Sequence, residues 1–428
     1  NLMVTLGLVS LSISAFANEE SGDKLVSLDE DEALATAWLD QDYFLGYQDW
    51  RAQLKKDTGL SPFGNYAVDL QSNVVGGQEN ATQYATLGFF GADLDLGILL
   101  DSKALQGWSL HAEGYNAEGR DISQNIGNAM APSTLFSGVV SVGLGRVFLK
   151  AEHDEFTWKI GRLTPEDDFA SSALWDYFVS LAYNDNPWNL SANNPNFSGA
   201  PGTLWMTSLQ WQPNDQWSFT IGAANTSKLD LTDSSNHGVD FDFDPLDGTL
   251  FMAEVAYSWQ AEWDYSEKPL TGSATFGGYY DTAAFPLLNP PARGAQTNRG
   301  LGAAWLILEQ QFIAGKNPDD IGLTAWALGT WGGPERMATA PWFASAGFVY
   351  EGIFPGRPDD ALGLGGSMVW FSDQLPGQNH ESNIELTYLI QVTPWLQFQP
   401  DVQFIFDPSG RNSIDDAIVI GFQSAVTF

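Results

Sequence analysis

The last part of the chain alternates apolar and polar side chains with a period of two residues. One phase carries Ile384, Leu386, Tyr388, Ile390 and Val392, and the other carries Glu385, Thr387 and Gln391. A two-residue period is that of a β-strand whose two faces meet different surroundings. Because charged residues stand between aliphatic ones, the pattern predicts one face toward lipid and the other toward water.

Similar segments of about ten residues recur along most of the chain. We count about sixteen of them. They start near Tyr66, Tyr84, Trp108, Leu144, Phe156, Leu204, Trp217, Leu250, Leu270, Gly302, Ile321, Trp342, Ala361, Asn383, Trp395 and Ile414.

The connections between these segments alternate in length. Short ones cover 101–106, 153–155, 212–216 and 262–269, and longer ones cover 116–143, 164–203, 226–248 and 281–299. Outer-membrane barrels have short periplasmic turns and long extracellular loops. The sequence therefore predicts an all-β fold, a transmembrane antiparallel β-barrel of about 16 strands.

The N-terminal part differs from the rest. Residues 1–17 form an apolar run that ends in Ala15-Phe16-Ala17, which is typical of a signal peptide that here lacks its basic start. Residues 18–62 are rich in acid, and 29–45 show helical spacing. We expect a periplasmic segment with a short helix there, and the barrel over 63–428.

Composition narrows the class of protein further. The chain has 53 acidic and 18 basic residues, a net charge of −35, and no cysteine. So much negative charge argues against nucleic acid as a partner. After Ala17 no apolar run approaches the roughly eighteen residues that a membrane-spanning helix needs. An exported protein without disulfides is then held by its own ladder of hydrogen bonds, which favours a closed barrel.

The C-terminus supports the same interpretation. The last segment places Ile418, Ile420, Phe422, Val426 and Phe428 on one phase. A terminal aromatic residue that closes an alternating strand resembles the signal read by the barrel assembly machinery of the outer membrane. We therefore expect that machinery as a partner through Phe428.

Several strings resemble motifs of the OprB-type carbohydrate-selective porins of Gram-negative outer membranes. They are LQGW at 105–108, GRLTPEDDFA at 161–170, EGIFPGRPDDALGLG at 351–365, PWLQFQPDVQFIFDPSG at 394–410 and DAIVIGFQSAVTF at 416–428. They follow the family's order from Trp50 to Phe428. The resemblance implies a sixteen-stranded channel for passive diffusion of mono- and small oligosaccharides. The expected partners are sugars, outer-membrane lipid and lipopolysaccharide.

The strong acidity leaves a second function open, a general or cation-preferring porin of the same build. An enzyme is less well supported. The histidines fall in unrelated segments, and no G-x-S-x-G or H-E-x-x-H string occurs. We expect no enzymatic activity and no cofactor. Asp240, Asp242, Asp244 and Asp247 have the composition of a calcium loop without its spacing, so loosely bound calcium stays an alternative.

Charged and aromatic residues on the water-facing phase are the candidates for selectivity. Those near the loop 164–203 are Arg146, Lys150, Glu152, Lys159, Arg162, Glu166, Asp167, Asp168 and Trp175, and Glu254, Glu309 and Glu385 lie on later strands. Arginine and carboxylate groups can bond sugar hydroxyls, and aromatic faces can stack on a pyranose. The loop could fold inward and narrow the channel. Alternatively, Arg162 and the aspartates hold the loop, and the glutamates are ordinary wetted lining. We assign Arg357, in the turn 352–360, a structural role.

Overall fold

The structure is a computed structural model, and it describes most of the chain. The described residues are 47–135, 141–226, 237–239, 241, 243–244, 246–290, 292, 294–315 and 320–428. The predicted signal peptide and the helical stretch 29–45 lie outside them. Within the described ranges, no helix is long and apolar enough to cross a membrane.

In the described part of the chain, sixteen antiparallel strands form one closed barrel. Each strand pairs with its neighbours along the chain, and the last strand pairs with the first. The strands are β1 Leu60–Gly77, β2 Ala81–Asp95, β3 Trp108–Gly119, β4 Val142–His153, β5 Phe156–Leu163, β6 Leu204–Asn214, β7 Trp217–Asn225, β8 Thr249–Ala261, β9 Leu270–Pro286, β10 Thr297–Ile313, β11 Leu323–Trp331, β12 Trp342–Glu351, β13 Ala361–Trp370, β14 His380–Thr393, β15 Leu396–Phe406 and β16 Asp415–Thr427. The predicted fold class is confirmed.

Short helices accompany the barrel, and the longest described one, α1, precedes the first strand. The α-helices are α1 Tyr47–Thr58, α2 Leu96–Leu99, α3 Ser123–Ile126 and α4 Trp188–Asn193, and 3-10 turns cover Lys103–Leu105, Pro165–Asp167, Ala173–Tyr177 and Pro408–Gly410. α1 ends at Gly59, whose N–H donates to the Lys55 carbonyl over 2.8 Å. Its positive φ of 79° is the left-handed conformation in which glycine commonly ends a helix. A short helix is thus present in the predicted N-terminal segment 18–62, after the stretch 29–45 that shows helical spacing.

The connections alternate in length as predicted. The turns 154–155 and 215–216 are tight, whereas 120–141 and 164–203 are long. The connection 78–80 between β1 and β2 is short and departs from this rule. In the turn after β6, the Asn214 side chain accepts the N–H groups of Gln216 and Trp217 over 2.9 and 3.0 Å. These two local hydrogen bonds take the place of the interstrand hydrogen bonds at the point where the chain reverses direction.

The barrel closes between β1 and β16. The ladder begins with Asn65 opposite Thr427. Beyond it, Gly64 and Phe428 exchange two backbone hydrogen bonds of 2.9 Å each. The Phe428 ring lies 6.3 Å from the ring of Phe90 and 6.1 Å from that of Tyr47 in α1. The C-terminal residue is therefore part of the seam that completes the barrel.

The two faces of the strands have different surroundings. Outward positions such as Phe276 and Leu306 keep large apolar side chains exposed, as a lipid-facing surface requires. The interior is filled in part by a buried apolar cluster that joins wall residues such as Trp305 and Trp326 to the loop residues Phe169 and Phe178. Long loops therefore enter the barrel.

The Arg357 side chain is held by hydrogen bonds at the turn between β12 and β13. Its guanidinium donates to the Asp360 carboxylate over 2.6 and 2.9 Å and to the Gln391 carbonyl over 2.9 Å. Burial acts to raise the pKa of Asp360, but the hydrogen bonds from Arg357 and Tyr388 outweigh it and lower that pKa. These contacts agree with the structural role expected for Arg357.

We predict that Gly76→Ala lowers the unfolding temperature of the barrel. Gly76 has a φ of 70°, and an added Cβ would lie 1.7 Å from the Asp416 carbonyl oxygen of β16. Gly356→Ala is the matched control, because Gly356 has a φ of 81° with open space around it. Both variants carry the left-handed penalty of about 1–2 kcal/mol, and the first adds a backbone clash at the barrel seam. Heat-modifiability on a gel measures the unfolding temperature of each variant. Equal unfolding temperatures for the two variants would contradict the predicted backbone clash at the seam.

Candidate functional site

Loop 3, defined as residues 164–203, lies inside the barrel. It leaves β5, and the N–H groups of Val179 and Ser180 donate to the two Glu385 oxygens on β14 over 2.8 and 3.0 Å. Near its start, the Ala170 N–H donates to Glu254 on β8 over 2.9 Å. Because β8 and β14 stand far from one another in the barrel, a loop that contacts both must cross the lumen.

Further contacts fix the second half of loop 3. The side chains of Asn194 and Asn196 donate to Asp281 on β9 over 3.1 and 2.9 Å. The Asn193 side chain donates to the carbonyls of Gly332 and Ala340 in the connection between β11 and β12, over 3.1 and 2.7 Å. Since buried backbone and amide groups must find partners, these wall residues make the inward position of the loop stable.

Loop 2, defined as residues 120–135, also turns inward. The N–H groups of Ala129 and Met130 donate to Glu381 of β14 over 2.7 and 2.8 Å. The Pro132 carbonyl accepts the side-chain amides of Gln71 and Gln403, each over 2.7 Å. Loop 2 therefore rests on the wall that β1, β14 and β15 form.

A cluster of charged residues lies where the start of loop 3 meets β3–β5. Arg146 of β4 donates to Glu113 of β3 over 2.5 and 2.8 Å and contacts Asp167 of loop 3 at 3.4 Å. Lys159 of β5 pairs with Asp168 of loop 3. The wall cations thus hold the loop carboxylates, and the loop in turn neutralises the wall.

Glu166 belongs to the same turn of loop 3 and is buried. One of its oxygens accepts the Ala200 N–H over 3.1 Å. Burial, followed by the neighbouring Asp185, raises the pKa of Glu166 well above its usual range. Burial also raises the pKa of Asp167, against the opposing effect of Arg146 and Lys159. Burial thus acts on both neighbouring carboxyl groups of this turn.

Together these contacts describe a barrel whose lumen is narrowed by two inward loops and lined by paired charges. Such a passage admits small solutes and excludes large ones.

Residues 79–428 match the model of the family described as "Carbohydrate-selective porin, OprB family". That match covers most of the chain. The chain belongs to the OprB family of carbohydrate-selective porins. It is therefore a carbohydrate-selective channel of the Gram-negative outer membrane, and sugars are its solutes.

Individual proteins agree with the family. Porin B of Pseudomonas aeruginosa is 23% identical over 413 residues, which are 85% of this chain and 86% of that protein. The putative porin QuiX of Acinetobacter baylyi is 23% identical over 433 residues, 91% of this chain and 94% of that protein. The high-pH structure of Pseudomonas putida OprB has a TM-score of 0.77 at 20% identity, with 90% of this chain and 97% of that chain covered. This structural likeness shows the fold. Family and fold are those of channel proteins.

Of the candidates named from the sequence, this OprB-family barrel brings five together. Arg146, Lys159, Glu166, Asp167 and Asp168 meet at the start of loop 3. Lys150 and Glu152 share the phase of Arg146 but form a separate ion pair of 2.5 Å at the periplasmic end of β4. That any of these residues contacts a sugar stays a prediction.

Arg162 lies elsewhere, which corrects the expectation that it lines the lumen. It stands opposite Val147 and Trp205 in the ladder, on the same phase as the exposed Ile160. Its guanidinium donates to the Thr203 side chain over 2.7 Å and lies 5.7 Å from the Phe241 ring centroid. The period-two rule therefore puts Arg162 on the outer face, covered by the connection between β7 and β8.

Three other candidates are held within the protein. Glu254 and Glu385 face the interior, but their oxygens accept N–H groups of loop 3. Glu254 also accepts the indole N–H of Trp305 over 2.7 Å. Trp175 is buried within loop 3 and is 3% exposed. Glu254 and Glu385 thus hold loop 3 against the barrel wall, and Trp175 packs in the buried apolar cluster.

Sequence reasoning missed Glu113 and Glu381. Glu113 is the main partner of Arg146, and Glu381 accepts three N–H groups, from Ala129, Met130 and Ser409. Both stand on the inward phase, as do His111 and Glu385 on the same strands. Strand phase combined with charge could have found them.

The calcium alternative falls partly outside the structure. Asp240 and Asp242 are not among the described residues, whereas Asp244 and Asp247 are. Across the described ranges, no group of three or more histidine or carboxylate side chains could hold a metal ion. Loosely bound calcium at these aspartates stays a prediction.

We predict that Glu385→Gln widens or destabilises the open channel while the barrel still folds. The new amide group turns a donor toward one of the two loop N–H groups, which leaves a buried N–H unpaired at a cost of about 1–3 kcal/mol. Single-channel recordings should show larger or noisier conductance. Glu152→Gln is the matched control, because Glu152 is exposed at the barrel end. Identical recordings from both variants would count against Glu385 as an anchor of loop 3.

Proposed function

We propose that the protein lets mono- and small oligosaccharides diffuse passively through the constriction beside loop 3, without catalysis and without a cofactor. The observation that carries this proposal is the inward course of loop 3, held by Glu254, Glu385 and the charged cluster around Arg146. Because loop 3 is fixed in this position, the constriction of the channel has a fixed width. A channel of fixed width with polar walls selects by size and by hydrogen bonding, and it needs no energy source.

Within the charged cluster, the Lys159–Asp168 pair is the best candidate for sugar contact. The Lys159 side chain is 19% exposed and that of Asp168 12%, whereas Arg146 is 2% exposed. Ser208 adds a hydroxyl, which donates to Asp168 over 2.6 Å. A passing sugar can replace water at these groups, with hydroxyls donating to the carboxylate and accepting from the ammonium.

The pairing of opposite charges in this cluster favours neutral sugars over ions as the solutes. Each cation of the cluster faces a carboxylate, so neither sign is left in excess at Lys159 and Asp168. The alternative of a cation-preferring porin draws on the net charge of −35. It predicts strong cation preference and no effect of sugar on the ion current.

We also propose that outer-leaflet lipid and lipopolysaccharide surround the upper barrel. Phe243 and Leu246, in the connection between β7 and β8, are 60% and 80% exposed. The same connection covers Arg162 and accepts the Trp205 indole N–H at the Phe241 carbonyl over 3.1 Å. Exposed apolar side chains beside the lipid-facing phase are suited to acyl chains.

For assembly, we propose recognition of β16 through Phe428 by the barrel assembly machinery. The proposal rests on the alternating pattern of β16 and on the place of Phe428 at the seam with Gly64.

We predict that the double variant Lys159→Met with Asp168→Asn weakens sugar block of the ion current about fivefold. The loss corresponds to about one hydrogen bond, roughly 1 kcal/mol. Planar bilayers titrated with glucose and maltose give the measurement. The double change preserves net charge, so ion selectivity should stay similar.

The matched control is Lys150→Met with Glu152→Gln, an ion pair outside the cluster. It should leave the sugar affinity close to that of the wild type. If wild-type channels show no sugar block, the passive sugar-channel proposal fails and the cation-preferring alternative stands. If block is intact in the first variant, the assignment of Lys159 and Asp168 fails alone.

We predict that removal of Phe428 lowers the amount of barrel in the outer membrane. Loss of its two backbone bonds to Gly64 and of its ring contacts weakens the final strand. Val426→Ala is the control, since it trims the same strand but keeps the terminal aromatic. Outer-membrane fractions should contain less of the truncated protein, whereas the molecules that do assemble should conduct normally. A normal yield would contradict a signal at Phe428.

A further inference from the structure

Two buried carboxylates on the inner wall have oxygens without a hydrogen-bond partner among the described residues. Asp69 of β1 and Asp401 of β15 are 1% and 2% exposed. Both oxygens of Asp69 and Oδ1 of Asp401 have no hydrogen-bond partner in the described chain. A buried ionised carboxylate is costly unless a donor or a cation faces it. Most other inward carboxylates of this barrel hold a loop, so these two need another explanation.

The ladder makes the two side chains converge. Gln71 and Gln403 lie on the strands that flank β16, opposite Gly421 and Val419, and both reach the same Pro132 carbonyl oxygen over 2.7 Å. Asp69 and Asp401 stand in the same relation one step toward the periplasm, opposite Gln423 and Gly421. Two residues in this relation therefore point at a common place beneath the turn of loop 2.

Gly421 lets Asp401 approach Gln71 closely across β16. An added Cβ at Gly421 would lie 3.1 Å from Oδ1 of Asp401 and 2.8 Å from Cγ of Gln71. The side chains of the flanking strands thus meet over the bare backbone of β16. Any larger residue here would displace Gln71 or Asp401.

The surroundings supply oxygen and no positive charge. β1, β13, β15 and β16 contain no lysine, arginine or histidine, and β14 has His380 at its end alone. The Ser133 hydroxyl of loop 2 lies close to the Asp69 carboxylate. Gln403 donates to the other oxygen of Asp401 over 2.9 Å. Glu385, whose oxygens are taken by loop 3, adds a third carboxylate to the same wall.

We propose that Asp69 and Asp401 bind a divalent cation, with Ca²⁺ as the ion whose preferences fit best, and that the ion clamps loop 2 to β1 and β15. Calcium takes carboxylate, amide and hydroxyl oxygens in flexible geometry. Two carboxylates with neutral oxygens from Ser133 and Gln423 form such a set, and water completes it. This site is separate from the aspartates at 240–247, and it does not depend on which solute the channel carries.

The test is calcium binding to the full-length purified protein in detergent after removal of divalent ions with EDTA. Binding is followed by competition with a chelating dye, at a temperature where the barrel is folded. Asp69→Asn and Asp401→Asn are near-isosteric and remove one charge each. Asp215→Asn is the matched control, since Asp215 is exposed in the turn between β6 and β7.

We expect the wild type and the Asp215 variant to bind one more calcium ion per chain than the Asp69 and Asp401 variants. If all four proteins bind the same number of ions, the wild type and the Asp215 variant should bind one of them at least about tenfold more tightly, because the charge of the ligands sets calcium affinity. Calcium should also raise the unfolding temperature of the wild type more than that of the Asp69 and Asp401 variants. Equal calcium binding by all four proteins would overturn the proposal. So would an unfolding temperature that responds to pH or to K⁺ and not to Ca²⁺.

Discussion

Inward carboxylates that accept backbone N–H groups are the interaction on which this channel depends. Glu385 takes two such groups from loop 3, and Glu381 takes two from loop 2 and one from Ser409. Without these acceptors the loop backbone would have to be solvated by water, and the loops would have no reason to stay in the lumen. The barrel wall supplies the acceptors because its polar phase faces inward. Channel width therefore follows from the pairing of wall and loop.

The use of carboxylates as internal acceptors also explains how a very acidic chain can form a passage with few exposed charges. At the start of loop 3, Arg146 faces Glu113 and Asp167, and Lys159 faces Asp168. Elsewhere in the lumen, Glu254 and Asp281 are used by loop amides. Acidic residues here are mainly structural acceptors. The net charge of −35 is thus a poor guide to the charge that a solute meets in the constriction.

Strand positions were predictable from the sequence because the period of two is local. Phe156 and Trp342 begin strands where the alternation begins. β1 starts at Leu60, earlier than the expected Tyr66, because Pro62 and Gly64 interrupt its apolar pattern. Arg162 was misplaced for a different reason. Its charge suggested water, although the alternation through Trp158 and Ile160 puts it on the outer phase.

The anchoring contacts could not be predicted in this way. Val179 and Glu385 are separated by 206 residues, and no local pattern relates them. The sequence does indicate that each glutamate lies on the inward phase of its strand. This narrows the set of candidate anchoring residues but does not identify the loop residue that each glutamate binds. Loop 3 could be expected to enter the barrel from its length and its aromatic residues, but its course required the structure.

We propose that loop 3 sets a size limit for neutral sugars, and liposome swelling tests this limit most directly. Proteoliposomes would be exposed to an unbranched series of neutral saccharides from one to five units at equal osmolarity. We expect fast entry of the monosaccharide and a steep decline as the saccharide lengthens, as such a size limit requires. Similar rates for every member of the series, with no decline beyond that of free diffusion, would contradict it.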